Sequence, residues 1–216
     1  INENTNANFI MIQGAELAIT SNYGDTLEVD EELTAQYGER YAKLAAFGKR
    51  LGEKACSIQD SAQVEPILNY ASKTITFPTE NNILLLAAKC GLLTNTIVKS
   101  GFMKYDVVTE IAYLELGKDF AVAIAPGELA PEIAFGGATT AEDSWQGKDW
   151  DYAPIKDKTD RKTTLVFGIT NDQMGYILTD NSWHSFLCEN EEIVATGSVA
   201  GSTFTSAFFT LLDEVR

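Results

Sequence analysis

The sequence predicts an α/β fold in which helices pack over mixed β-sheet. Short apolar segments alternate along the chain with segments of helical periodicity, the order typical of layered α/β domains. One segment, FAVAIA at 120–125, is apolar at every position, which indicates a strand covered on both faces. With 216 residues, 45% of them hydrophobic, the chain has enough apolar material for one domain spanning 1–216.

Five segments have the composition of buried strands and are bounded by turn-forming Gly, Pro, Asn or Asp residues. The predicted strands are 8–13, 73–77, 107–116, 120–125 and 163–169. Pro78 should end the second strand, because proline lacks the backbone donor that a sheet needs. Gly117-Lys118-Asp119 should turn the chain between the third and fourth strands.

Three longer helices are predicted. The first starts after Asp30, a suitable N-cap, and runs to residue 51 with one apolar stripe. The stripe, which should pack in the core, consists of Leu33, Tyr37, Tyr41, Leu44, Phe47 and Leu51. A second helix covers 80–90, with Gly91 placed to end it. A closing helix covers 197–215, with Val199, Phe204, Phe208, Leu211 and Leu212 on one side and Gly197-x-x-x-Gly201 as a packing feature.

Charge and composition exclude several function classes. The net charge is −15, from 16 basic and 31 acidic residues, so the surface repels nucleic acid and anionic membranes. No apolar run approaches the roughly 20 residues that span a bilayer. Cys56, Cys90 and Cys188 form no CxxC pair and are expected to be buried free thiols.

Chemistry is expected where apolar strands run into polar, glycine-containing turns, since ligands of open α/β folds bind at such strand ends. Three junctions have this layout: 13–22, Pro126-Gly127-Glu128 and 168–176. Glu128 should begin a short helix over 129–135, where the dipole keeps a carboxylate ionised and available to a metal. The alternative is that Glu128 simply caps that helix.

The third junction offers a second oxygen ligand. Asn171 and Asp172 suit a turn in which side-chain oxygens bond back to the backbone. Tyr176 follows and could donate a hydrogen bond or ligate a metal as a phenolate. The alternative for Tyr176 is half-buried packing. A polar interval at 138–160, containing Trp145, Trp150 and Tyr152, is predicted to be a long loop of the kind that often forms a lid.

These motifs, in this order, resemble the neutral/alkaline non-lysosomal ceramidase family. Pro126-Gly127-Glu128 after an apolar strand, and Asn171 to Tyr176 about forty residues on, match the family's Pro-Gly-Glu and Asn-to-Tyr motifs. Gln13 and Asn22 match the family's Gln-to-Asn stretch. Phe47-Gly48-Lys49-Arg50-Leu51 matches the pattern that follows that stretch. Phe204, Thr205 and Phe208 match the end of the family's catalytic domain. The resemblance therefore covers most of the chain and corresponds to the C-terminal part of that domain.

The resemblance implies a partial αββα-type domain of a zinc-dependent amidohydrolase that cleaves N-acyl sphingoid lipids. Glu128 and Tyr176 match two of the four zinc ligands. The other two, both histidines, are expected from an upstream segment of the same protein before residue 1; His184 matches neither. Members of the family are often secreted or membrane-associated, which favours an extracytoplasmic location.

Other positions follow the family less closely. Thr20 aligns with the family's catalytic Ser and Ser21 with the Pro after it, so Thr20 or Ser21 is expected to assist catalysis. Leu17 stands where the family has Gly. Asn22, Asn171 and Asp172 are expected to contact the substrate, and Trp145, Trp150 and Tyr152 to shape its pocket.

Two alternatives remain open at the level of sequence. The departures at Leu17 and Thr20 favour a non-catalytic ceramidase-like module used for binding or assembly. A metal hydrolase acting on another N-acyl lipid or on a peptide amide would carry the same motifs.

Overall fold

A computed structural model describes residues 10–17, 19, 27–58, 63–185 and 191–215, with only the backbone at 191. The chain divides into two compact units. One comprises 1–11 and 19–63, and the other comprises 12–18 and 64–216. Each unit is described by itself.

The first unit contains helix α1, Glu31–Cys56, which is broken at Gly38. Gly38 has φ 74° and ψ 159°, a conformation that glycine adopts at low cost and that ends one helical segment before the next begins. Lys49 Nζ lies 3.4 Å from Asp30 Oδ2, although 19 residues of straight helix would span about 28 Å. The second segment therefore folds back along the first, and the prediction of one continuous helix is wrong.

The predicted apolar stripe of α1 is also not a core face. Leu33 is half-buried, and the other five side chains are between 41% and 57% exposed. The buried residues of α1 are Ala42 and Ala46 instead. The break at Gly38 separates Leu33 and Tyr37 from the other four residues, which share one helical face after the break and are exposed there.

The second unit holds the sheets and the remaining helices. In chain order its elements are β1 (Leu68–Thr79), α2 (Asn82–Lys89), β2 (Thr96–Gly101), β3 (Lys104–Leu116), β4 (Phe120–Ile124), β5 (Glu128–Leu129), α3 (Pro131–Phe135), α4 (Ile155–Thr159), β6 (Thr163–Phe167), β7 (Tyr176–Ile177) and α5 (Ala200–Val215). Two short 3-10 turns, Asp180–Ser182 and Glu191–Val194, lie between β7 and α5.

The main sheet has the order β1-β3-β4-β6, with β2 also paired to β3. Its pairs are antiparallel except β4 with β6, which is parallel. A second sheet consists of the parallel pair β5 and β7. The predicted α/β class with mixed sheet is therefore confirmed.

Strand β4 is covered on both faces, as its apolar sequence predicts. Ala121 and Ala123 belong to the main core, which α5 shares through Phe204 and Phe208. Val122 and Ile124 belong to a smaller cluster on the opposite face. Gly201 allows α5 to lie against the chain after β7, because a Cβ there would be 2.3 Å from the Leu178 carbonyl oxygen.

Several boundaries differ from the prediction. β1 continues through Pro78, since the ladder with β3 extends to Thr79. β2 was not predicted, and the described part of 8–13, residues 10–13, forms no strand and is exposed. The interval 138–160 is irregular as far as Pro154 and then forms α4.

Two cysteines contradict the expectation of burial: Cys56 is half-buried and Cys90 is exposed, while Cys188 lies outside the described residues. Within the part of the chain that the structure describes, no helix is long and apolar enough to cross a bilayer.

Candidate functional site

The site is built on the short parallel strands β5 and β7, in which Glu128 and Tyr176 are directly opposite each other. The backbone N–H of Glu128 donates to the Gly175 carbonyl at 3.1 Å, and that of Ala130 donates to Ile177 at 3.1 Å. Strand ends that are joined in this way hold the two functional side chains at neighbouring positions.

Two glycines make this close pairing possible. A Cβ at Gly127 would lie 2.2 Å from the Gly175 carbonyl oxygen. Gly175 has φ 104°, and a Cβ there would lie 2.0 Å from the Val194 carbonyl oxygen. Only glycine combines that backbone conformation with so close an approach of another chain segment.

The three predicted strand-to-turn junctions converge here. The Met174 N–H donates to the Pro126 carbonyl at 2.8 Å, which joins the second and third junctions. Residues 13–17 of the first junction join them through two backbone hydrogen bonds, from Gly168 N–H to Gln13 O at 2.9 Å and from Leu17 N–H to Leu129 O at 3.3 Å. Thr20, Ser21 and Asn22 of that junction lie outside the described residues.

Glu128 lies in a strand rather than at a helix N-terminus, which corrects the prediction. Helix α3 begins at Pro131, with Ala130 as its N-cap. Burial raises the pKa of the Glu128 carboxyl, and the Glu16 carboxylate raises it further. Side-chain hydrogen bonds from Tyr176 and Gln173 act in the opposite direction without cancelling the rise.

Glu16 therefore belongs to the polar environment of Glu128. With the amide of Gln13 oriented so that its nitrogen faces Glu16, this nitrogen lies 3.1 and 2.5 Å from the two carboxylate oxygens. Gln13 thus holds Glu16 in place, while the two glutamates leave excess negative charge at the convergence of the three junctions.

Glu128 and Tyr176 line the same cavity, whose volume is about 290 Å³. Most of its wall is apolar and comes from α2, from the connection after it, and from strands β2 and β3. The apolar side chains from these segments are Leu84, Leu85, Ala88, Leu93, Ile97 and Val107. A carboxylate and a phenol at one side of an apolar cavity form the arrangement of a ligand site with a few orienting polar groups.

Three polar residues of this cavity, Thr79, Asn95 and Gln173, were missed by sequence reasoning. Gln173 lines it and hydrogen-bonds Glu128. Asn95 lines it and donates to the Gln173 carbonyl at 3.2 Å and to Asp172 Oδ1 at 3.1 Å. Gln173 lay within the third predicted junction, whereas Asn95 precedes β2, an unpredicted strand, and carried no sequence signal.

Asn171 and Asp172, predicted to bind substrate, do not line the cavity. Asp172 Oδ1 accepts from the Gln173 backbone N–H at 2.8 Å, which confirms the predicted turn chemistry. Asn171 has φ 73° and donates to Glu110 Oε1 at 3.1 Å. Both residues shape the turn that presents Gln173 and Tyr176.

The aromatic residues of 138–160 are not part of this cavity either, contrary to expectation. Tyr152 packs on Trp150 and Phe209 and hydrogen-bonds Ser206, so this pair belongs with α5. Trp145 lines a different cavity and packs on His184, with ring centroids 3.8 Å apart. Apolar side chains of α2 line the cavity at Glu128, a role that was expected of Trp145, Trp150 and Tyr152.

The donor set at Glu128 and Tyr176 fits part of a zinc site. Two oxygen donors are adjacent, and burial together with the Glu16 carboxylate raises the pKa of the Glu128 carboxyl, a rise that a bound cation would oppose. Zinc sites use three or four protein ligands. The described residues contain no group of three or more His, Cys, Asp or Glu side chains that could hold a metal. Among the described residues, Glu128 and Tyr176 would thus be two of the ligands that such a site requires.

Comparisons of the chain with family models, with curated proteins and with solved structures found no match.

Proposed function

We propose that this protein is a zinc-dependent amide hydrolase acting on N-acyl sphingoid or related lipids. The observation that supports this most directly is the pairing of Glu128 with Tyr176 at the side of a largely apolar cavity. A polar pair of this kind suits an amide group, and the apolar walls suit a hydrocarbon chain attached to it.

The acyl chain is proposed to enter the cavity between α2 and β2. Each methylene that leaves water there contributes about 0.8 kcal/mol. Leu84, Ala88 and Leu93 would contact the chain. This burial would hold the amide beside Glu128 and Tyr176, which are the two ionisable side chains in the cavity wall as described.

Glu128 and Tyr176 would hold the zinc ion, together with two histidines that we place in a segment outside the 216 residues. When bound, zinc lowers the pKa of a coordinated water and polarises a carbonyl group. The cation would also compensate the negative charge that Glu16 and Glu128 concentrate at this position.

The chain's own residues would orient these groups. Gln173 donates to Glu128 and fixes the direction of its carboxylate. The Tyr176 phenol hydrogen-bonds the same carboxylate in the metal-free chain, and with zinc bound its oxygen would bind the metal instead. Thr20 or Ser21 is proposed as a donor to the substrate carbonyl oxygen that gains negative charge, and Asn22 as a substrate contact. An extracytoplasmic location is part of the same proposal.

The proposal is tested in the full-length protein with Glu128→Gln and Tyr176→Phe. Zinc content is measured by mass spectrometry, and hydrolysis is measured on N-acyl sphingosines, N-acyl amino acids and a peptide amide. Glu128→Gln should reduce bound zinc and abolish hydrolysis, and Tyr176→Phe, which removes the other proposed ligand, should likewise reduce both.

Two surface variants serve as matched controls. Glu65→Gln and Tyr70→Phe change the same residue types at exposed positions and should retain wild-type zinc and rate. If the wild-type protein binds N-acyl lipid but hydrolyses none of the panel, the non-catalytic binding module is correct instead. Cleavage of peptide amides alone would favour the other metal hydrolase.

A further inference from the structure

A second cavity, of about 500 Å³, shares no lining residue with the first. It is strongly acidic: four carboxylate side chains line it, and no Lys, Arg or His does among the residues described. The four are Glu132, Glu142, Asp143 and Glu192. Such a wall attracts a cation and repels an anion.

Glu192 is the clearest indication that something binds there. The residue is only 3% exposed. Its Oε1 accepts from the His184 backbone N–H at 3.1 Å, but its Oε2 has no hydrogen-bond partner in the described part of the chain. A buried carboxylate oxygen without a donor is unfavourable, so a ligand that brings an N–H group would stabilise the site.

The geometry does not suit a bare metal ion. No three acidic side chains of the described residues are arranged to hold one. Glu132 Oε2 already accepts from the backbone N–H groups of Ala138 and Thr139, at 2.6 and 2.8 Å. Asp143 Oδ2 accepts from the backbone and the hydroxyl of Thr140. The carboxylates therefore surround a space larger than one ion instead of converging on a point.

The rest of the wall fits the body of an organic molecule. Leu17, Pro131 and Leu178 provide apolar surface. Trp145, which is 63% exposed, provides an indole, the aromatic ring that cations contact most favourably. Acidic and apolar groups are thus combined in one cavity.

We propose that this cavity binds an organic ammonium ion with an apolar body, whose N–H groups hydrogen-bond the Glu192 carboxylate. The alkyl part lies against Leu17 and Leu178, beside the Trp145 indole. This site is separate from Glu128 and Tyr176 and does not depend on the proposed hydrolase activity.

The test uses n-hexylammonium chloride as the probe, with n-hexanol and calcium chloride as comparisons, and measures dissociation constants by NMR titration of the intact protein. Hexylammonium should bind at least about tenfold more tightly than hexanol, because a hydrogen bond between charged groups contributes more to the binding free energy than one made by a neutral hydroxyl. Calcium should not compete with it. Binding of calcium at this cavity, or equal binding of hexanol, overturns the proposal.

Variants of the lining residues test whether hexylammonium binds in this cavity. Glu192→Gln keeps an acceptor for the His184 N–H and should weaken hexylammonium binding at least about tenfold. Glu142→Gln and Trp145→Leu alter exposed residues, so they should preserve the fold while weakening binding about two- to fivefold. The control Glu65→Gln should have no effect. Unchanged affinity in Glu142→Gln and Trp145→Leu, with wild-type NMR spectra, contradicts the proposal even if Glu192→Gln fails to fold.

Discussion

Glu128 and Tyr176 are direct neighbours across the parallel strands β5 and β7, and the phenol hydrogen-bonds the carboxylate. The backbone N–H groups of Glu128 and Ala130 donate to the carbonyls of Gly175 and Ile177, so the strands are joined without the two side chains. Substitutions at these two positions should therefore change chemistry more than folding.

Glu128→Gln should stabilise the metal-free protein while removing the proposed hydrolase activity. Burial and the Glu16 carboxylate disfavour the charged form of Glu128, and glutamine removes that charge while keeping an acceptor for Tyr176. We expect an increase of about 0.5–1 kcal/mol in the free energy of unfolding at neutral pH. Urea denaturation of both proteins in the presence of a chelator measures it. A loss of stability would show that the carboxylate is already compensated.

Ala88→Phe should shorten the acyl chain that the proposed hydrolase accepts. Ala88 lines the apolar cavity, and a phenyl group there would displace about two methylenes of a bound chain. The specificity constant should fall about tenfold for long-chain substrates and less than twofold for short ones. Leu86→Phe, at an exposed position of the same helix, is the control. An equal loss on all chain lengths would place the acyl chain elsewhere.

Gly175→Ala should disrupt the pairing of β5 with β7. The new Cβ would overlap the Val194 carbonyl oxygen, and the residue would keep an unfavourable positive φ. The free energy of unfolding should fall by roughly 3 kcal/mol or more, as seen for strained backbone substitutions. Gly48→Ala, which meets no neighbouring atom and lies within α1, should be neutral or slightly stabilising. Thermal denaturation compares the two; similar melting temperatures would contradict the close approach.

Asn81→Ala should loosen α2 and with it the cavity wall. Asn81 is fully buried, accepts from the backbone N–H groups of Ile83 and Leu84, and donates to the carbonyls of Ile193 and Ala195. Loss of the cap and of two donors should cost about 2–4 kcal/mol. Hydrogen exchange should quicken in α2 first. Asn82→Ala, next to it but exposed, should leave exchange unchanged.

Arg161→Met should reduce the pH dependence of stability in acid. Burial alone would raise the pKa of Glu115, but hydrogen bonds from Asn69, Tyr113 and Arg161 outweigh it and lower the pKa. A lowered carboxyl pKa stabilises the fold above the unfolded-state pKa, and this stability is lost as pH falls through the folded-state pKa.

The Glu115–Arg161 ion pair has side chains only 12% and 28% exposed, so its loss at neutral pH should cost about 1–3 kcal/mol. Unfolding free energies measured from pH 7 to pH 3 should fall less steeply in Arg161→Met than in wild type. Parallel curves would mean that Arg161 does not influence Glu115. Lys118→Met, which removes an exposed ion pair with Glu65, is the control and should change little.

Local patterns predicted the elements whose type depends on turn residues and on apolar spacing within a short stretch of sequence. The hairpin of β3 and β4 follows from two apolar runs around Gly117, which has φ 64°. Helix α5 follows from the spacing of Phe204, Phe208 and Leu211, all of which are buried. In both cases the turn residues and the apolar spacing that decide the type of element lie within a short stretch of sequence, so that type can be predicted from the sequence alone.

The candidate site was predicted in part. Glu128 and Tyr176 stand out because each follows an apolar strand and a glycine. Gln173 and Asn95 did not stand out, and Glu128 was placed in a helix. Its strand exists only because β7, nearly fifty residues later, supplies the partner carbonyl of Gly175. A two-residue strand has no periodicity of its own from which it could be recognised.

The sequence by itself determined the α/β class, most strand and helix positions, and the chemical character of the two residues at the site. Only the tertiary structure decided that three distant junctions meet, that α2 closes an apolar cavity over Glu128, and that Glu192 is buried without a donor for Oε2 among the described residues. The physical reason is that element type follows from local preferences. Burial, charge coupling and cavity walls depend instead on which distant segments pack together.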